Sequence, residues 1–199
     1  MKISSKKRLC GLVLAGGRSI RMGLDKAELI HPDGRPLARR CYDLLCQAGC
    51  ETVVISLRHE QPIPAGLDDL TIVRDPAGGS FGPITGILAA MRLQPHADLL
   101  VVACDLPRLD GPTLTHLIHS QQVTDKFLAY RSEFDGLPEP LCALYAADSR
   151  PVMVQAQADD FSCPRKILIR NDCRLLDPVT SRALDNANTP ADWETARTS

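Results

Sequence analysis

Apolar residues follow two rhythms along this chain, and the alternation between them sets out its elements. Residues 9–14 form a short continuous apolar run, as a strand covered on both faces requires. Residues 15–23 contain Gly16, Gly17 and Gly23 and read as a loop. Over 36–48, Leu37, Cys41, Leu44, Leu45 and Ala48 share one side at helical spacing, which predicts an amphipathic helix stopped by Gly49. The β-branched run at 52–57 predicts a second strand, and 70–73 a short third that ends at Arg74-Asp75-Pro76. A second glycine-rich stretch, 77–82, precedes a helix that starts near Pro83 and carries Ile84, Ile87, Leu88 and Met91. Residues 97–104 are apolar except for Asp98, the pattern of a central parallel strand, and lead into Asp105. Asp110 is placed to cap a helix over 111–121.

The remainder is less regular. Residues 127–131 and 141–145 read as strands around an Asp135-Gly136 turn, and 148–157 as a helix. Thr189-Pro190-Ala191-Asp192 reads as a helix start, with a threonine cap, proline at the first position and an acid at the third. Residues 62–66 form a small Pro/Gly surface loop, and no repeat, low-complexity tract or linker interrupts the chain. The order β-loop-α-β-β-loop-α-β-α predicts an open α/β sheet with helices on both faces.

Composition narrows the function classes. The 199 residues are 44% hydrophobic and 24% charged, ordinary for a globular protein. A net charge of -1 gives no whole-molecule attraction for nucleic acid or an anionic membrane, so any anion site must be local. Eight cysteines lack CxxC spacing and are expected to be thiols in a reducing compartment. Lys2, Lys6, Lys7 and Arg8 before an apolar run look a little like a secretory leader. Gly11 inside the run and Arg18, Arg21 and Lys26 after it fit a first strand feeding a loop better. No apolar stretch approaches the ~20 residues that span a bilayer, and the protein is expected to be cytoplasmic. The histidines at 31, 59, 96, 116 and 119 share no ligand spacing and are expected at the surface.

The candidate chemistry begins at 14–27, LAGGRSIRMGLDKA. Glycines after a strand let a ligand approach a run of main-chain N–H groups, which forms an anion nest. Arg21 and Lys26 add cationic groups suited to a triphosphate. Neither the Gly-x4-Gly-Lys-Ser/Thr loop nor the Gly-x-Gly-x-x-Gly fingerprint is present. At the other end of the argument, Asp105 directly follows the central strand, where open α/β sheets bind ligands and an acid can hold Mg²⁺ together with phosphate oxygens.

The string at 14–27 resembles the signature loop of the molybdenum cofactor guanylyltransferases, the MobA-like nucleotidyltransferases. Cys104-Asp105-Leu106-Pro107, Gly82-Pro83-Ile84-Thr85-Gly86 and Asn186-Ala187-Asn188-Thr189-Pro190 are similar to further motifs of that family. The resemblance implies an open three-layer Rossmann-like nucleotidyltransferase fold with a mostly parallel sheet. It implies a single domain over 1–199, with a nucleotide-binding half at 1–110 and an acceptor-binding half at 111–199.

By the same resemblance, Leu14, Ala15 and Gly16 take the base and ribose side of GTP, and Gly17 belongs to the same nucleotide-binding loop. Arg21 and Lys26 take its phosphates, Asp75 and Gly82 contact the nucleotide, and Asp105 binds Mg²⁺. Arg21, Lys26 and Asp105 are thereby the expected catalytic groups. Asn186 and Asn188 meet the metal-bound phosphate or the acceptor, molybdopterin. Gly16 favours guanine; cytidylyl-transferring relatives tend to have alanine there.

The strand around 138–145, with Arg165 and Lys166, is placed to line the acceptor pocket. The second strand lacks the asparagine that some relatives use for the nucleotide, and Ser56 is the nearest polar group. Other cofactor-biosynthesis or molybdoenzyme-maturation proteins are the expected protein partners. Two alternatives remain at this point: a transferase making the cytosine dinucleotide or acting on a sugar phosphate, and a silent GTP-binding module.

Overall fold

The computed structural model describes residues 8–17, 25–77 and 82–198. The first half builds β1 (Arg8–Leu14), α1 (Leu37–Gln47), β2 (Thr52–Leu57), β3 (Thr71–Arg74), α2 (Pro83–Leu93) and β4 (Ala97–Ala103). The second half adds α3 (Gly111–Ser120), β5 (Phe127–Arg131), β6 (Pro138–Tyr145), α4 (Arg150–Ala158), α5 (Pro164–Arg170), β7 (Arg174–Leu176) and α6 (Pro190–Thr198). The strands form one sheet in the order β3-β2-β1-β4-β6-β5-β7. β3, β2, β1 and β4 are mutually parallel, and β7 is parallel to β5, whereas β6 runs antiparallel between β4 and β5. The sheet is thus mostly parallel, as the sequence pattern predicts.

Strand alternation sorts the core into two layers. Val13, Ile55, Leu100 and Val102 pack beneath α1 and α3, against Cys41, Leu45, Leu114 and Leu117. Their neighbours Leu12, Val54, Leu99 and Val101 face the other way, toward Ile84, Ile87 and Leu88 of α2, Met153 of α4 and Ile167 of α5. Three layers result, with every residue of β4 buried. Asp98, the one acid in that strand, is 2% exposed. Its carboxylate accepts from Ala147 N at 2.8 Å and Gln121 Nε2 at 2.7 Å, which fixes the end of α3 and the approach to α4.

Most expected elements appear within a residue or two of their predicted ends. The predicted helix over 148–157 is instead a short 3-10 turn, Ala147–Ser149, followed by α4. α5 and β7 were not anticipated. α5 is a seven-residue helix and β7 a three-residue strand of half-buried residues, both too short to show a hydrophobic period. His116 departs from the expectation of surface histidines. It is half-buried, with Nδ1 3.0 Å from the Tyr130 hydroxyl.

Candidate nucleotide site

The carboxyl ends of β1, β2, β3 and β4 open into one cleft of about 930 Å³. The ladder continues past the strands: Ala15 N donates to Ser56 O at 3.0 Å and Cys104 N to Leu14 O at 3.1 Å. These bonds carry 14–17 and 104–105 side by side to the cleft wall. Leu14, Ala15, Gly16, Gly17, Lys26, Asp75, Gly82 and Asp105 all line it, with Ser56 from β2. Arg21, the remaining nucleotide-side expectation, lies outside the described residues, as do 78–81 of the second glycine stretch.

Two glycines set how closely the walls approach. A Cβ on Gly86 would lie 2.8 Å from Leu14 Cδ2 and would clash with the Ser56 hydroxyl, so with glycine there α2 meets the ends of β1 and β2 without displacing either side chain. A Cβ on Gly16 would lie 3.2 Å from Arg58 N. Arg58 itself escaped the sequence reading, although it directly follows β2 at the ligand-binding end of the sheet. Its Nη1 donates to Gly16 O and Gly17 O, each at 2.7 Å, and so secures the start of the loop.

Asp75 sits at the cleft end of β3, its N–H donating to Leu57 O at 3.1 Å. Its Oδ1 is buried with no hydrogen-bond partner among the described residues. Burial pushes its carboxyl pKa up, with the Arg58 charge pulling the other way. An unpaired buried acceptor is costly in the free protein.

Lys26 joins parts of the chain far apart in sequence. Its Nζ donates to Asp105 Oδ2 at 2.9 Å and to Asn188 Oδ1 at 2.7 Å. It begins a 3-10 turn, Lys26–Glu28, whose cap is Asp25, accepting from Ala27 N at 3.0 Å. Ala187 N donates to Asp105 O at 3.0 Å, so the 186–189 segment docks directly on the strand-end acid. The predicted capping box at the start of α6 fixes that segment in turn. Asn188 N and Thr189 N donate to Asp192 Oδ2, and Asp192 N donates to Thr189 Oγ1. Those bonds, led by Thr189, hold the Asp192 carboxyl below its ordinary pKa.

The two asparagines do not share a surface. Asn188 meets Lys26, whereas exposed Asn186 lines a smaller depression of about 90 Å³ with Leu106, Glu139, Leu141 and Arg165. Ala187 between them is buried, and its N–H donates to Asp105 O. Leu141 of β6 lines both hollows. Arg165 is paired with Asp135 at 2.8 Å and Glu139 at 3.1 Å, so its charge is matched within the protein, while Lys166 is exposed. Among the described residues, no three His, Cys, Asp or Glu groups converge as a metal cage. No helix among them is long and apolar enough to cross a membrane.

A cleft at the carboxyl ends of parallel strands, edged by a glycine loop, a lysine and an aspartate, is the arrangement of an open α/β protein that takes a phosphorylated ligand. Comparison with known proteins names the group more closely. Residues 11–174 match the MobA-like NTP transferase domain. The chain is 37% identical over 189 residues to the molybdenum cofactor biosynthesis bifunctional protein of Synechocystis sp., covering 95% of this chain and 54% of that protein. It thus spans about half the length of that relative. It is 32% identical over 187 residues to a molybdenum cofactor guanylyltransferase of Xanthomonas euvesicatoria pv. vesicatoria, covering 92% of this chain and 91% of that one. The crystal structure of molybdopterin-guanine dinucleotide biosynthesis protein A from Archaeoglobus fulgidus shares the fold, with a TM-score of 0.71 at 24% identity, over 95% of this chain and 97% of that one. The chain belongs to the MobA-like NTP transferase family and is a nucleotidyltransferase.

Proposed function

We propose that this protein transfers GMP from GTP to the terminal phosphate of molybdopterin, releasing pyrophosphate and forming molybdopterin guanine dinucleotide. The observation that carries this reading is the bridge from Lys26 to both Asp105 and Asn188. It joins the nucleotide cleft to the segment assigned to the acceptor, as a two-substrate transfer needs. An acceptor phosphate oxygen bonds to the α-phosphorus of GTP while the bond from that phosphorus to the β-phosphate bridging oxygen breaks. The attacking phosphate is already ionised, so no general base is required. The protein's work is positioning and charge stabilisation.

Leu14, Ala15, Gly16, Asp75 and Gly82 take the nucleotide's base and ribose, and Gly17, Arg21 and Lys26 its phosphates. The guanine assignment draws on Gly16 and on the guanylyltransferase relatives. Asn186 and Asn188 serve the acceptor side, in the 111–199 half, while 1–110 serves the donor.

The donor set fits Mg²⁺. The strand-end carboxylate of Asp105 borders the cleft, no cage of three ligating groups forms among the described residues, and Mg²⁺ usually takes one or two carboxylates plus substrate phosphates. Asp105 would hold the ion. When bound, the ion would neutralise charge on the transferring phosphoryl group. The eight cysteines, all free thiols, accord with a cytoplasmic setting.

The test is pyrophosphate release with Mg²⁺, molybdopterin and each of the four common NTPs supplied singly. Turnover with GTP supports the reading. Turnover with CTP but not GTP would assign the cytosine dinucleotide instead, and GTP binding without turnover would leave a silent binding module.

A further inference from the structure

We infer that Gln61, in the β2–β3 connection, is a positioning residue that clasps the two ends of the phosphate loop and so sets nucleotide affinity. This rests on the reading that the cleft takes a nucleoside triphosphate.

Gln61 is 4% exposed and contributes to the cleft wall. A buried amide is costly unless its polar atoms are bonded. Here both donors and the acceptor are used. Nε2 donates to Ala15 O at 3.0 Å and to Asp25 Oδ2 at 2.7 Å, and Oε1 accepts from Arg58 N at 3.2 Å. Ala15 immediately follows β1, and Asp25 immediately precedes Lys26. One side chain therefore spans the segment between the strand and the lysine. The other oxygen of Asp25 caps the turn that begins at Lys26, so the clasp reaches the cation through a single residue.

The clasp is anchored behind. Arg74 Nη1 donates to the carbonyls of Arg58, His59 and Gln61 at 3.0, 3.1 and 2.7 Å, locking the 58–61 segment to the end of β3. From that fixed segment Arg58 reaches Gly16 and Gly17 while Gln61 reaches Ala15 and Asp25. The charged hydrogen-bond partner of the amide is Asp25 on the loop; Lys26, Arg58, His59 and Glu60 line the same cleft, and Arg74 holds the segment from behind. Among the described residues, the hydrogen-bond partners of the Gln61 side chain are the two loop ends, Ala15 and Asp25, and the anchor residue Arg58, with Ala15 also packed at the edge of one apolar layer. Fixing both loop ends before the ligand arrives lowers the ordering cost at binding.

The experiment measures GTP affinity, in the presence of Mg²⁺, for the full-length wild type, Gln61→Leu and Gln61→Glu at pH 5.5, 7 and 8. Circular dichroism checks the fold of each. A hydrogen bond to a charged group is worth enough that Gln61→Leu should bind roughly 10- to 100-fold more weakly, with KM rising more than kcat falls. Gln61→Glu sets a second carboxylate against Asp25, and two such groups favour sharing a proton. Its affinity relative to wild type should therefore be lowest at pH 8 and recover toward pH 5.5. A merely structural role would not produce that profile. Wild-type affinity in both variants, or a Gln61→Glu deficit that is flat with pH, would overturn the inference. If Gln61→Leu does not fold, the Gln61→Glu profile decides. A wild type that itself binds no nucleotide would instead overturn the functional reading of the cleft, and the inference with it.

Discussion

Replacing Lys26 with alanine removes a cation held by two acceptors, Asp105 Oδ2 at 2.9 Å and Asn188 Oδ1 at 2.7 Å. The Lys26 and Asp105 side chains are only 14% and 23% exposed, so solvent screens the pair less than a surface ion pair. Hydrogen bonds to charged groups contribute about 1.5–3 kcal/mol each. Taking the lower part of that range for a site open to the cleft, the loss is about 2–4 kcal/mol. For a chain of this size, that corresponds to a fall in Tm of roughly 4–16 °C. The link to Asn188 is lost as well, so much of the fall reflects loosening of the C-terminal segment. Turnover should drop by about 10²–10³, the usual cost of removing one preorganised charge from a reacting phosphate or oxyanion. Lys26→Arg keeps the charge but exchanges a point cation for a planar fork, so it should restore stability more than turnover. The assays are a thermal melt and pyrophosphate release, run on both variants. A Lys26→Ala protein that melts within about 1 °C of wild type and turns over at a similar rate would refute the bridging role, since two half-buried charge-assisted bonds should cost more than that.

Asp105→Asn should lose at least ~10² in turnover while retaining measurable GTP affinity, and chelation of divalent metal should mimic it reversibly; isothermal titration with and without Mg²⁺ separates the two effects. Because burial raises the Asp75 pKa, its ionised form is disfavoured in the folded state, so its contribution is least favourable at neutral pH and improves as pH falls. Asp75→Asn should therefore raise Tm at pH 7, with the advantage shrinking as acidification protonates the wild-type carboxylate, while GTP binding weakens. An advantage that grows on acidification would show the sign to be wrong. Gly16→Ala puts a methyl group 3.2 Å from Arg58 N and presses on the contact that secures the loop. Such crowding costs about 1–3 kcal/mol of stability where the neighbour cannot move, so Gly16→Ala should lower Tm and kcat/KM for GTP, readable from a thermal melt and steady-state kinetics.

The elements and cleft residues of the first half were legible in the sequence because they lie close together and carry recognisable patterns. An apolar run broken only by Asp98 and ending in an acid places Asp105 at a strand terminus, and the glycines after β1 mark the loop. Proximity across the sheet was less accessible. The sequence singles out Lys26, Asp105 and Asn188 for separate roles, and the fold makes them one cluster. Asn186 and Asn188 are expected to act together on the acceptor side, yet Asn186 lines the small depression beside β6 whereas Asn188 accepts from Lys26. Arg58 and Gln61 act through main-chain carbonyls of 15–17 and through Asp25, contacts that leave no periodic trace. The second half was harder for another reason. Its antiparallel β6 lies between β4 and β5, and short elements such as β7 owe their form to sheet neighbours rather than to their own pattern.

The most direct test of nucleotidyl transfer follows the α-phosphate. The wild-type protein is incubated with Mg²⁺, molybdopterin and GTP labelled at the α-phosphorus, and products are separated by mass and label. The account predicts that the label enters a molybdopterin guanine dinucleotide, that unlabelled pyrophosphate appears in equal amount, and that both require the acceptor. Label that remains in GTP, or emerges as free GMP whether or not molybdopterin is present, would contradict it.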